Sequence, residues 1–196
     1  MNLSLSGLWS EMRLTFQDPR QGVRRVLALD LPMGARWVAL LLVAIASSIL
    51  LHLAILLFPL PDGDIVGEMA ASPFTTTVLQ AGVFTLVVAA VYWLGRMRGG
   101  RGSFADTLIV MVWLQTIMLA VQLAQLVVQI LLPPASGLVS LAGLGVFLWL
   151  LTNFVAELHG FRSLPAVFGG IVVGGILLAF LLAVLLLLLV GTPVPA

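Results

Sequence analysis

Five long apolar stretches, separated by short polar segments, dominate the pattern of this 196-residue chain. A helix that crosses the hydrocarbon core of a bilayer needs about 20 residues, and each stretch is close to or above that length. Residues 107–156 carry no charge and would form a helix of about 75 Å, so they must fold back. Pro133-Pro134, followed by Ser136-Gly137, supplies the break. The predicted spans are residues 37–58, 76–94, 106–132, 138–156 and 164–190.

The first 36 residues have an amphipathic pattern instead. Apolar side chains at helical spacing mark one face of a first helix: Leu5, Leu8, Trp9, Met12 and Phe16. Asp18-Pro19 ends that helix and begins a second, in which Val23, Val26 and Leu27 oppose arginines. This pattern suits a helix lying in the headgroup layer, and it also suits a helix packing under the bundle.

The charges give the five-span arrangement a direction. All nine basic residues are arginine, and all fall on the same side of the predicted membrane: Arg13, Arg20, Arg24, Arg25, Arg36, Arg96, Arg98, Arg101 and Arg162. The loop after the first span carries Asp62, Asp64 and Glu68 and no basic residue. Because arginine accumulates in cytoplasmic loops, we predict a cytoplasmic N-terminus and an external C-terminus.

Together these patterns predict an all-α, polytopic membrane bundle with five transmembrane helices and an N-terminal amphipathic segment. Residues 1–36 form a cytoplasmic interfacial arm, residues 37–190 the transmembrane domain and residues 191–196 an external tail. With 61% apolar and 9% charged residues, the composition leaves no room for a soluble domain. Six arginines are predicted to contact lipid headgroups: Arg20, Arg24, Arg25, Arg96, Arg98 and Arg101.

Polar side chains inside the spans form a candidate intramembrane network. Four glutamines follow one face of the third span, namely Gln115, Gln122, Gln125 and Gln129, and His52 is the one ionisable residue well inside a span. The stripe either joins neighbouring helices by hydrogen bonds or lines a polar path. We expect the neutral His52 imidazole to bond to one of these glutamines.

The remaining motifs indicate architecture, and we predict no catalytic residue, cofactor, metal site or nucleic-acid partner. Ser103 and Asp106 have the spacing of a capping box at the start of the third span. Gly170 and Gly174 form a small-residue face for helix packing within the bundle or, alternatively, for homo-oligomerisation. Glu157 and His159 point away from each other on a helix and form no metal pair.

Three segments carry a resemblance to a known family. They are residues 14–20 (LTFQDPR), residues 101–106 (RGSFAD) and residues 149–161, which lead through His159-Gly160 into a glycine-rich fifth span. With them the whole chain resembles the five-span Yip domain proteins, named in eukaryotes for interaction with Ypt/Rab GTPases, and in particular their bacterial members. Members commonly carry a proline in span three, which residues 112–115 lack. The resemblance implies a helical bundle, a cytoplasmic N-terminus and a role in membrane organisation through protein partners.

Two functions are compatible with these features. The first is a non-enzymatic scaffold or adaptor that uses the lipid bilayer and membrane or cytoplasmic proteins as partners. The second is a small transporter or permease component with a polar path along the third span. The compact size and the arginine-only composition indicate the inner membrane of a bacterium.

Overall fold

The computed structural model describes residues 5–61, 67, 70 and 72–190, and within them it is entirely helical. The seven helices are α1 (Leu5–Gln17), α2 (Pro19–Leu27), α3 (Met33–Leu57), α4 (Pro73–Met97), α5 (Phe104–Leu131), α6 (Ser136–His159) and α7 (Leu164–Val190). Helices α3 to α7 are long and apolar enough to cross a membrane. The prediction of an all-α bundle with five spans is confirmed.

The helices extend beyond several predicted span boundaries. α3 begins at Met33 instead of residue 37, and α4 runs from Pro73 to Met97 instead of from residue 76 to 94. A helix of 25 residues is about 37 Å long, whereas the hydrocarbon core is about 30 Å thick. The additional turns therefore lie at headgroup depth, where hydropathy gives no signal. Asp62, Asp64, Glu68 and the predicted tail 191–196 lie outside the described residues.

Local sequence signals explain where the helices begin and end. Asp18 caps α2 by accepting a hydrogen bond from the Gln21 amide at 3.0 Å, and Pro19 occupies the first helical position. Residues Pro133–Ala135 form a single 3-10 turn at the predicted break between α5 and α6. Gly160 ends α6 with a φ of 73°, a left-handed conformation that glycine adopts without strain.

α5 is the central helix of the bundle. It contacts α2, α3, α4 and α6, and every side chain from Thr107 to Leu114 is buried. α7 lies at the periphery, where it packs on α6 and, less extensively, on α4. The protein core is therefore concentrated around the first half of α5.

The N-terminal arm, α1 and α2, folds against this part of the bundle. Val23 and Val26 belong to the hydrophobic core, and the indole Nε1 of Trp113 donates a hydrogen bond to Thr15 Oγ1 at 3.2 Å. Phe16 stacks on Trp149 with ring centroids 6.5 Å apart. The apolar face of α2 is thus covered by protein, the second of the two arrangements that its pattern allows. Contact of the arm with lipid headgroups stays a prediction.

Candidate contact surface at the basic end

One end of the bundle collects the ends of five helices together with the arm. We call it the basic end. Judged by their positions in the sequence, all nine arginines belong to it, together with five carboxylates: Glu11, Asp18, Asp30, Asp106 and Glu157. Nine positive against five negative charges leave a net charge of +4. The other three carboxylates fall in the sequence between α3 and α4, where no arginine occurs, so the charges are polarised between the connections.

Two arginines fasten the arm to itself and to α6. Arg24 donates to Glu157 Oε1 of α6 at 2.9 Å and lies 3.9 Å from Asp18. Arg25 donates to Glu11 Oε1 of α1 at 3.1 Å. Both arginines were predicted to contact lipid headgroups, but their guanidinium groups are engaged by carboxylates, which compete with lipid phosphates for the same donors.

A third pair joins α3 to α5. The buried Arg36 donates from Nη1 to Asp106 Oδ1 at 3.3 Å and from Nε to the Leu31 carbonyl oxygen at 2.7 Å. Ser103 Oγ accepts from the Asp106 amide at 3.1 Å and donates to Asp106 Oδ2 at 2.6 Å. Ser103 is confirmed as the N-cap of α5, but the Asp106 carboxylate accepts from the Ser103 hydroxyl where a capping box would use the Ser103 amide. The same carboxylate also neutralises Arg36.

The last turn of α4 and its connection to α5, residues 95–103, form what we call the arginine loop. It carries Arg96, Arg98 and Arg101, which are exposed, and the buried glycines Gly95, Gly100 and Gly102. The Gly100 amide donates to the Gly95 carbonyl at 2.8 Å, and the Arg101 amide donates to the carbonyl of His159 on α6 at 3.3 Å. Arg96 Nη1 also donates to the Gly100 carbonyl oxygen at 3.4 Å, so the loop has one defined shape.

His159 fills the space beneath the arginine loop. The side chain is 2% exposed and stacks on Phe161 with ring centroids 5.5 Å apart. A Cβ atom on Gly95 or Gly100 would overlap the imidazole ring, and one on Gly102 would come within 3.1 Å of His159 Cε1. Only glycine fits at Gly95 and Gly100 because the ring occupies the volume of their missing side chains, whereas at Gly102 the nearest atom is Leu158 Cγ at 2.9 Å.

The imidazole holds the loop by close packing. Among the described residues, neither ring nitrogen has a hydrogen bond of standard geometry, although the Val91 backbone interacts with the ring. Packing against Gly95 and Gly100 is therefore the main contact of the His159 side chain, which makes it a positioning residue for the loop.

His52 does not join the glutamines. Its Nδ1 lies 2.8 Å from the Ser48 carbonyl oxygen and its Nε2 lies 3.0 Å from the Ala70 carbonyl oxygen. The expected bond to a glutamine is therefore wrong for this structure. Ala70, between α3 and α4 in the sequence, brings its carbonyl oxygen to the ring, which the sequence pattern gives no means to anticipate.

The glutamines of α5 face different neighbours. Gln115 lines a small void between α3, α4 and α5. Gln125 lies against Gly143 of α6 and donates to the Val139 carbonyl oxygen at 3.4 Å, whereas Gln122 is exposed. Gln129 is partly exposed. The structure thus does not gather His52, Gln115, Gln122, Gln125 and Gln129 into one site.

The glycine face of α7 packs inside the bundle. A Cβ atom at Gly170 would overlap the Arg98 guanidinium, and one at Gly174 would lie 2.8 Å from Leu94 Cδ1 of α4. Gly169 and Gly175 face open space. The structure therefore uses Gly170 and Gly174 for close approach of α4 and α7.

The fit between His159 and the glycines escaped sequence reasoning, which treated Glu157 and His159 only as a possible metal pair. The available signal was the glycine-rich composition of residues 95–102, but composition does not say which side chain fills the space. Within the described residues, no group of three His, Asp or Glu side chains is placed to hold a metal ion.

The fold and this polarised end define a multi-pass α-helical membrane protein with five candidate spans. The chain belongs to the Yip1 domain family, whose family model matches residues 13–189. No curated protein sequence and no solved structure matches the chain significantly.

Proposed function

We propose that this Yip1 domain protein is a non-enzymatic adaptor in membrane organisation, with the basic end as its contact surface. The observation that carries the proposal is the docking of the arm and the arginine loop at the same end of the bundle. Neither the arm nor the arginine loop is needed to span a membrane, yet both have a defined structure at the basic end. Members of the Yip1 domain family are generally non-enzymatic membrane trafficking proteins, which supports the same conclusion.

The arm at the basic end offers a side chain that a partner could reach. Trp9 of α1 points away from the bundle and is 68% exposed. Aromatic side chains are enriched at protein interfaces. The transporter alternative has less support, because Gln115 and Gln125 face different helices.

We further propose that the basic end lies in the cytoplasm and that the protein resides in a bacterial inner membrane. The net charge of +4 at one end supports this orientation through the positive-inside bias. Reporter fusions after Arg25, Gly100 and Gly160 are expected to read cytoplasmic. Fusions after Asp64, Ser136 and Pro195 are expected to read external, and a cytoplasmic C-terminus would contradict the five-span orientation.

Site-specific photo-crosslinking in native membranes tests the adaptor role. A photoreactive amino acid at Trp9 of the arm is expected to capture a discrete protein. The same probe at Phe180, on the exposed surface of α7, is the matched control and is expected to capture lipid. Identical lipid-only products at both positions would refute a protein contact at the basic end.

A further inference from the structure

The arginines of the basic end divide into two groups. Arg24, Arg25 and Arg36 pair with carboxylates, as described above. In the part of the chain that the structure describes, no carboxylate lies within ion-pair distance of the other six: Arg13, Arg20, Arg96, Arg98, Arg101 and Arg162. Four of these six belong to the arginine loop and to the connection between α6 and α7. The hydrogen bond from the Arg101 amide to the His159 carbonyl brings these two connections side by side.

The position of Arg98 indicates the depth at which this group acts. Its guanidinium lies against Gly170, six residues after the first residue of α7, which corresponds to about 9 Å along the helix. α7 has 27 residues and a length of about 40 Å, so it exceeds the hydrocarbon thickness by about 10 Å. Arg98 itself is the C-cap residue of α4, a helix of 25 residues and about 37 Å that also exceeds the hydrocarbon thickness. Its side chain therefore starts at the membrane boundary, where a long arginine side chain places its guanidinium among the headgroups.

The neighbouring surface of α4 is apolar and open. Trp93 is 64% exposed and Met97 is 80% exposed, and both lie on a face next to the one that Leu94 and Arg98 turn toward α7. Arginine above exposed apolar side chains matches a phospholipid, whose phosphate lies above its acyl chains. An acidic protein would satisfy the arginines but would leave the membrane-facing Trp93 without a role.

We propose that the arginine loop binds the phosphate groups of anionic phospholipids through Arg96, Arg98 and Arg101. Guanidinium groups recognise phosphate by paired, charge-assisted hydrogen bonds. The packing of Gly95 and Gly100 on His159 and of Gly102 on Leu158 fixes the backbone that carries the three arginines before a lipid arrives, which lowers the ordering cost of binding. This assignment rests on the proposed function, in which the basic end is the contact surface. It assigns the arginine loop to lipid and the arm to a protein partner.

Native mass spectrometry of the delipidated full-length protein tests the assignment. Phosphatidylglycerol is expected to bind more tightly than phosphatidylcholine with the same acyl chains. Each arginine near an anionic surface contributes about 1 kcal/mol, so Arg96→Gln with Arg98→Gln is expected to weaken phosphatidylglycerol binding roughly 25-fold at low salt. The double lysine variant keeps the charge but loses the paired hydrogen bonds, and it is expected to retain only part of the binding.

The matched control is Arg24→Gln with Arg25→Gln, which removes the same charge from arginines that are already paired. It is expected to leave the preference for phosphatidylglycerol within twofold of the unmodified protein. Equal losses in the two double variants would show that net charge alone sets lipid binding and would overturn the site. Unchanged lipid binding in the Arg96, Arg98 variant, together with loss of a crosslinked protein, would make the loop a protein surface; the adaptor function would then stand and the lipid assignment would fall.

Discussion

α5 and α7 are both candidate membrane spans, but they differ in what surrounds them. In α5, 56% of the most apolar stretch is buried inside the protein, against 11% in α7, although α7 has the higher mean hydropathy, 2.7 against 1.9. In water the more apolar helix would be the more buried one. In a bilayer the lipid is as apolar as leucine, so burial follows packing shape and polar contacts instead. α5 is central because helices and the arm fit around it.

The largest expected effect is a difference in stability between the alanine variants of two phenylalanines. Phe154 of α6 is fully buried beside α5, whereas Phe180 of α7 is 69% exposed. Phe154→Ala is expected to lower the free energy of unfolding by about 3 kcal/mol, because a cavity remains where lipid cannot enter. Phe180→Ala is expected to change it by less than about 0.5 kcal/mol. Reversible unfolding in mixed micelles measures both, and equal losses would refute the difference between the two helices.

Alanine substitutions at two glycines are expected to differ in stability by a smaller amount. Gly95→Ala places a methyl group into the His159 ring and is expected to cost about 2 kcal/mol, as other overpacking substitutions do. Gly175→Ala on the open face of α7 is expected to be neutral or slightly stabilising, because alanine is the better helix former. Adding His159→Ala to Gly95→Ala should recover part of the loss in a double-mutant cycle. Additive effects of the two substitutions would show that the ring and the glycine do not share this space.

The ion pair between the arm and α6 is expected to contribute less. Arg24 is 54% exposed, so solvent and salt screen its attraction to Glu157. Arg24→Gln is expected to cost less than about 1 kcal/mol at low salt and almost nothing at high salt. Hydrogen exchange of the α2 amides reports the undocking of the arm directly. A salt-independent loss would mean that Arg24 contributes by packing and not by charge.

The smallest expected effect concerns the glutamines of α5. Gln125→Leu removes a long hydrogen bond to Val139 and is expected to cost about 0.6 kcal/mol. Gln122→Leu replaces an exposed amide by an apolar side chain and is expected to be neutral or stabilising in lipid. Thermal unfolding in nanodiscs compares the two. A larger loss from Gln122→Leu would show that this amide has a partner outside the described contacts.

Hydropathy and helix-breaking residues were sufficient for the five spans, because a bilayer requires long apolar helices and proline interrupts them. The N-cap at Ser103 was also predictable, since Ser103 and Asp106 lie within one turn. The partner of His52 was not, because the Ala70 carbonyl reaches the ring through a fold of the chain and not through helical spacing. The glycine cradle around His159 likewise depends on the meeting of α4 with the end of α6. The sequence shows the glycines of such a contact but not the side chain that packs on them.

The arm is at the start of the chain, but its docking site is made much later. Thr15 bonds to a residue 98 positions further along the chain, and Arg24 to one 133 positions further along. At about 5–20 residues per second, a ribosome needs roughly 10 s to make the second partner after the first. During that interval the helices that later cover Val23 and Val26 have not been made, and the membrane surface is the nearest apolar environment. We therefore expect the apolar face of the arm to bind the membrane surface first during biogenesis, and to pack on the bundle once the bundle has formed.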